Sequence, residues 1–253
     1  MKIKTEPKLS NVLICTWYGK MTNDISNRNY IVAGTKPWNR RIFDEVILRY
    51  TGNWFFVNEQ EQLTSAFVER INPRYLFFLH WSWLVSEEIV DKYECVCFHM
   101  TNVPYGRGGS PLQNLLSRGF HQTKITALQM GHELDAGPVY LKKELSLEGS
   151  AEEIYIRATY LSAEMIDYII QRQPQPVPQS GEIVEFKRRF PFQSVISELG
   201  SLQSLHDFIR MLDAEGYPKA FLVHEGFRYE FSRACLRDGR IVSDVTITSL
   251  EKD

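Results

Sequence analysis

Asn29-Tyr-Ile-Val-Ala-Gly-Thr-Lys-Pro-Trp-Asn-Arg-Arg-Ile-Phe-Asp-Glu-Val-Ile-Leu-Arg-Tyr50 is the stretch on which the fold turns. Tyr30 to Ala33 is an unbroken apolar run, the pattern of a strand covered on both faces, and Gly34 closes it. Pro37 suits the first turn of a helix, where its missing N–H costs nothing. Ile42, Phe43, Val46, Ile47 and Tyr50 then recur at helical spacing until Gly52 stops them.

The same unit repeats downstream. Trp54 to Val57 reads as a second strand and Glu61 to Arg70 as a second helix. Pro73 precedes a third strand, Tyr75 to Leu79, and a short helix over Glu87 to Lys92 leads to a fourth, Cys95 to His99. Strands alternating with helices predict an α/β, Rossmann-like fold, with a mostly parallel sheet and helices on both faces. In such sheets the ligand crevice lies beyond the carboxyl ends of the strands. The segments to watch are therefore 35–39, 80–84 and 99–109.

Farther on, Ser110-Pro111 opens a helix that buries Leu112, Leu115 and Leu116 and ends at Gly119. Thr123 to Met130 and Pro138 to Leu147 read as strands. Ser150 and Glu153 form a capping box for a long helix that carries Ile154, Ala158, Leu161, Met165 and Ile169 on one face. These spacings predict one main domain over 29–172 and a Pro/Gln linker over 173–181. A small α+β unit over 182–253 follows, with an amphipathic helix around Leu205 to Leu212 and then hairpin-like strands. Residues 1–28 form an N-terminal extension of no assigned role.

Bulk properties narrow the function. The chain has 253 residues, 43% of them hydrophobic and 13% aromatic, enough for a full core. With 29 Lys+Arg against 31 Asp+Glu the formal charge is -2, without the basic surplus of a polyanion binder, so no nucleic-acid partner is expected. Cys15, Cys95, Cys97 and Cys235 make neither a disulfide framework nor zinc spacing. No metal site is expected, and reduced thiols point to the cytoplasm. No run approaches the length of a membrane span, and no membrane partner is expected. The oligomeric state is open, with a homodimer among the options.

Two residues stand out by position: His99 at the end of the fourth strand, and Asp135 in the turn Gly131-His-Glu-Leu-Asp-Ala-Gly137. Between them lies Pro104-Tyr-Gly-Arg-Gly-Gly-Ser-Pro111. Each alone is weak. A lone histidine is usually a satisfied core or surface residue, and a glycine-rich stretch is more often a turn than a ligand cradle.

Their order, however, resembles the catalytic domain of the folate-dependent formyltransferases. That family carries an Asn-x-His at a strand end, a Tyr-Arg-Gly-x-x-Pro loop and a Leu-Asp-Thr-Gly turn. Here they stand as Cys97-Phe-His99, Tyr105-Gly-Arg-Gly-Gly-Ser-Pro111 and Leu134-Asp-Ala-Gly137, and the resemblance covers about Tyr30 to Ile170. It implies 10-formyltetrahydrofolate as co-substrate. Trp81, Ser82, Trp83 and Leu84 would lie against the folate, Met130, His132 and Glu133 would also bind it, and His80 is a further candidate for lining that pocket. The wording of 98–114 and Lys36-Pro-Trp-Asn39 is most like the subgroup that acts on nucleotide-linked amino sugars, uridine or thymidine undecided. Methionyl-tRNA is the alternative acceptor, and a silent folate- or nucleotide-binding protein the alternative of another class. Lys36, Trp38, Asn39, Tyr105, Arg107, Gly108 and Gly109 would face the substrate. Lys36, Trp38 and Asn39 serve equally well as packing at the helix start, and Trp81 and Trp83 as packing of the sheet edge.

His99 would be general base or proton relay, and Asp135 would fix its tautomer, raise its basicity or accept a proton itself. The departure is Cys97, which replaces the family's asparagine: a thiol donates poorly to an oxyanion. A backbone N–H, a water or Asn102 could substitute, or activity is low or absent. Cys97 is either a nucleophile or, as small buried thiols usually are, inert.

Overall fold

The computed structural model describes residues 28–250; the apolar stretch Val12 to Trp17, Cys15 and the rest of the N-terminal extension up to residue 27 lie outside the described residues. The first half runs β1 (Asn29–Gly34), α1 (Pro37–Glu45), β2 (Asn53–Val57), α2 (Ser65–Ile71), β3 (Tyr75–Leu79), α3 (Glu87–Lys92) and β4 (Cys95–His99). It continues with β5 (Tyr105–Gly108), α4 (Pro111–Leu116), β6 (Gln122–Gln129), β7 (Val139–Ser146) and α5 (Ala151–Arg172). The remainder holds β8 (Val184–Phe186), α6 (Leu202–Arg210), β9 (Ala220–His224), β10 (Phe227–Arg237) and β11 (Arg240–Ser249).

The central sheet has the order β2-β1-β3-β4-β6-β7. Strands β1 to β4 pair in parallel, and β6 pairs antiparallel with both β4 and β7. Alternate residues serve the two faces. Tyr30, Val32, Phe77, Leu79 and Val96 pack with Ile42 and Phe43 of α1 and with Ile154, Ala158 and Met165 of α5. Ile31, Ala33, Leu76, Phe78 and Cys95 pack with Val68 and Ile71 of α2 and Ile89 of α3. Burial on both sides is why these strands read as unbroken apolar runs. No described helix is long and apolar enough to cross a membrane.

Three segments differ from the sequence expectation. The helix expected over Glu61 to Arg70 is a short 3-10 turn, Gln60–Gln62, followed by α2, because the Thr64 hydroxyl accepts the Phe67 N–H at 3.1 Å and starts the helix afresh. The first helix likewise stops at Glu45 and gives way to a 3-10 turn, Ile47–Arg49. The glycine-rich stretch is not a loop but β5, paired in parallel with β8.

The stretch 173–181 is tied down at several points. Val177 exchanges both backbone hydrogen bonds with Val139, at 2.7 and 2.9 Å. Farther on, β9, β10 and β11 form a separate antiparallel sheet that packs on α6. Tyr217 ties this C-terminal part to the rest: its ring stacks on Tyr155 of α5 at 5.1 Å, and Tyr155 stacks on Trp38 of α1 at 5.9 Å.

Candidate active site

The buried His99 side chain sits where β4 ends. Its Nε2 lies 2.7 Å from the Gly106 carbonyl oxygen, which also accepts the Thr101 hydroxyl at 3.1 Å. A carbonyl only accepts, so Nε2 carries the proton of the neutral ring. Nδ1 is then the open nitrogen, and it faces Asp135 Oδ2 at 3.4 Å. The shorter contact, to the backbone carbonyl in β5, favours a proton on Nε2, and Asp135 stands beside Nδ1.

Asp135 is held from two sides. Its Oδ2 accepts the Gly108 N–H at 2.9 Å, and its backbone carbonyl accepts the Gln179 side-chain amide at 2.8 Å. Its φ of 53° is left-handed, a conformation that Asp tolerates better than most residues. The pair therefore rests on β5, and β5 rests on β8. A Cβ on Gly108 would lie 2.5 Å from the Phe186 carbonyl oxygen, and one on Gly109 2.6 Å from Arg188 Cβ. These glycines, read from sequence as facing substrate, are required by the close approach of the chain at 186–188.

Cys97 shares the His99 face of β4, half-buried. Loss of solvent, and then the charge of Asp135, push its thiol well above the usual range. It is a neutral thiol near pH 7, which leaves the nucleophile reading without support. Asn102, the side chain considered as a substitute donor, is exposed, and its amide oxygen accepts Lys142 Nζ at 2.7 Å.

Of the residues assigned to folate, Trp81 and Met130 pack on the same side of the sheet as Cys97. The Trp81 indole N–H is buried with no partner among the described residues. Trp83 meets Trp81 edge to face at 5.0 Å and, with Ser82 and Leu84, forms an exposed rim. Glu133 is exposed at the turn, and His132 is turned toward α3, where Glu87 and Asp91 stand 3.8 and 3.0 Å away.

The residues assigned to substrate divide differently. Asn39 is fully buried: its side-chain oxygen accepts the Lys36 N–H at 3.0 Å and its NH2 reaches Thr159 at 3.3 Å. Trp38 is buried, its ring stacked on Tyr155 at 5.9 Å. Lys36 lies over the Tyr217 ring at 4.7 Å. His80, at the end of β3, meets Tyr155 edge-on at 4.7 Å; burial, then the Lys36 charge, bring its pKa down to about 4. It belongs to this aromatic cluster, away from the Cys97 side.

Tyr105 contacts Phe120 and Phe186, and shallow clefts of about 280 and 350 Å³ open on either side of it. Neither cleft is lined by His99 or Asp135. Arg107 donates from Nε and Nη2 to the Gln179 side-chain oxygen, at 3.1 and 2.9 Å. Gln179 and Thr101 were not picked out from sequence. Nothing in a Pro/Gln run signals a tertiary contact, and Thr101 sits in no motif. No cluster of metal-ligating side chains occurs among the described residues.

Comparison with known proteins agrees with this architecture. Residues 191–248 match the family model described as the methionyl-tRNA formyltransferase C-terminal domain. A methionyl-tRNA formyltransferase from Thermodesulfovibrio yellowstonii is 30% identical over 46% of this chain, a match spanning only 40% of that protein. A solved sugar N-formyltransferase-like protein from Mycobacterium tuberculosis has the same fold at 18% identity, with a TM-score of 0.64 over 90% of this chain and 100% of its own. Much nearer is the solved structure of a methionyl-tRNA formyltransferase from Clostridium thermocellum, 43% identical, covering 88% of this chain and 99% of its own, with a TM-score of 0.83. On that near-complete likeness, the chain belongs to the formyltransferase family.

Proposed function

We propose that this protein transfers a formyl group from 10-formyltetrahydrofolate to an amine, with His99 and Asp135 moving the proton. The observation that carries the reading is the buried pair beyond β4, with His99 Nε2 against the Gly106 carbonyl and Nδ1 turned to the Asp135 carboxylate. The acceptor amine attacks the formyl carbon, a new C–N bond forms, and the bond to the folate nitrogen breaks. His99 Nδ1 takes the proton that the amine sheds and returns it to the departing folate nitrogen. Asp135 stabilises the imidazolium in between. With a thiol in place of an amide at position 97, the developing oxyanion has to meet another donor. The unpartnered Trp81 indole N–H, on the same side of the sheet, is one of the right chemistry.

Residues 29–172 are in this reading the catalytic unit and 182–253 a C-terminal unit, in a cytoplasmic enzyme. The acceptor is an amino sugar linked to a uridine or thymidine nucleotide. The near-neutral charge supports a small acceptor over a tRNA, whose backbone rewards a basic surplus. A second reading, methionyl-tRNA, is favoured by the match at 191–248 and by the likeness to the methionyl-tRNA formyltransferase of Clostridium thermocellum. Purified protein with 10-formyltetrahydrofolate should release tetrahydrofolate on addition of one UDP- or dTDP-linked amino sugar. Formylation of methionyl-tRNA alone would move the acceptor to the second reading, and no turnover with either would overturn the proposal.

A further inference from the structure

Gln179 lies outside every motif, yet it spends all of its polar groups at the site. Its NH2 donates to the carbonyls of Asp135 and Gly137, each at 2.8 Å. Its side-chain oxygen accepts both Arg107 contacts, at 3.1 and 2.9 Å. The orientation of the amide is forced, because an arginine only donates and backbone carbonyls only accept. One side chain therefore joins the turn that carries Asp135 to the strand that carries Gly106 and Gly108.

That junction matters because the turn's other ties run through the side chains of Asp135 and His132, and little holds its backbone. Its backbone bond from the Ala136 N–H to Glu133 is long, at 3.4 Å, and Leu134 is 65% exposed. Asp135 itself sits in a left-handed conformation that has to be maintained against relaxation. The Val177–Val139 bridge fixes the chain two residues before Gln179, so the amide is delivered by an anchored backbone.

We propose that Gln179 is a positioning residue for the proposed transfer. It acts through Asp135, keeping the carboxylate on Nδ1 of His99, and Arg107 serves to orient the Gln179 amide before it serves any ligand. This rests on the formyl-transfer reading, so the test has one arm that needs no activity. Gln179→Leu removes every contact, and Gln179→Glu keeps the acceptor for Arg107 while placing an oxygen against two carbonyls. In both variants, hydrogen exchange of the Gly108 amide, which donates to Asp135 Oδ2, should quicken at least tenfold, with exchange elsewhere in the central sheet unchanged. For Gln179→Leu, kcat should fall about tenfold or more while KM for the folate moves less than about twofold. In an Asp135→Ala background the same change should alter kcat less than about twofold, since two groups acting through one another are not additive. Unchanged exchange in both variants overturns the latch. Quickened exchange with unchanged kcat, or an equal loss in both backgrounds, overturns its positioning role. A wild type without turnover would count against the proposed function alone, and the exchange arm would still decide the latch.

Discussion

Replacing Asp135 by Asn separates the charge of this residue from its shape. Oδ2 makes two contacts, accepting the Gly108 N–H at 2.9 Å and facing His99 Nδ1 at 3.4 Å. An amide oxygen in the same place keeps the first and loses only the charge opposite the imidazolium. The bare attraction at that distance, with an effective dielectric near 20, is about 5 kcal/mol and sets a ceiling. Hydrogen bonds involving a charged group contribute about 1.5–3 kcal/mol net. At 1.36 kcal/mol per decade, kcat of Asp135→Asn should fall about 10- to 150-fold. Asp135→Ala goes further, because it also strands the Gly108 N–H and puts alanine at a left-handed φ. That costs about 1–3 kcal/mol of stability, or roughly 3–10 °C in Tm. Single-turnover formyl transfer at saturating donor, paired with circular dichroism melts, measures both quantities. An Asn variant that keeps more than half of the wild-type rate would refute the electrostatic role. One as unstable as the Ala variant would show that the carboxylate is there for the turn rather than for the proton.

Four further outcomes follow from the geometry. Cys97→Ala should keep kcat within about threefold, since a thiol pushed well above its usual range offers neither a thiolate nor a strong donor; a dead variant with intact folate binding, measured by thermal shift, would restore the nucleophile. Trp81→Phe keeps the ring and removes the N–H, so if the indole meets the oxyanion kcat should fall about 10²-fold with little change in folate KM, and an unchanged kcat rules that donor out. His80 is normally protonated below 6.5 but in the fold only near 4, so the unfolded chain alone takes up its proton between those values: stability should fall on acidification through that window by up to about 1.4 kcal/mol per unit, with no contribution above it, and His80→Asn should flatten the acid limb of a urea-melt series. Gly108→Ala should cost about 2–3 kcal/mol in denaturant unfolding, because its Cβ meets the Phe186 carbonyl at 2.5 Å with φ at 102°; a cost below about 0.5 kcal/mol would mean that β5 and β8 part easily.

The architecture was legible where burial dictates pattern. Tyr75–Leu79, Glu87–Lys92 and Cys95–His99 begin and end at the residues expected from sequence, since the strands are covered on both faces and the short helix lies between clear stops. Local hydrogen bonding decided the exception at Thr64, where a hydroxyl cap outweighs continuous helical spacing. His99 and Asp135 were placed together from motif order, and the structure puts them in contact. What sequence does not carry is long-range partnership. The glycines at 108 and 109 look the same whether they make room for a ligand or for a neighbouring strand. Asn39 looks like a crevice residue until Thr159 on α5, 120 positions away, is found to hold it. Gln179 sits in a composition that signals solvated chain, and only the fold shows what it meets.

The pairing of β5 with β8 also sets an order of events during synthesis. Every motif residue, from Lys36 to Asp135, leaves the ribosome well before Val184–Phe186, the strand on which the Gly106 and Gly108 backbone is supported. Until that short strand arrives, the carbonyl that chooses the His99 tautomer and the N–H that holds Asp135 have no template. A nascent chain, or a fragment cut after α5, thus carries His99, the glycine-rich strand and Asp135 without the strand that supports them. Completion of the site is postponed to a late, non-local closure, which ties competence to having made nearly the whole polypeptide.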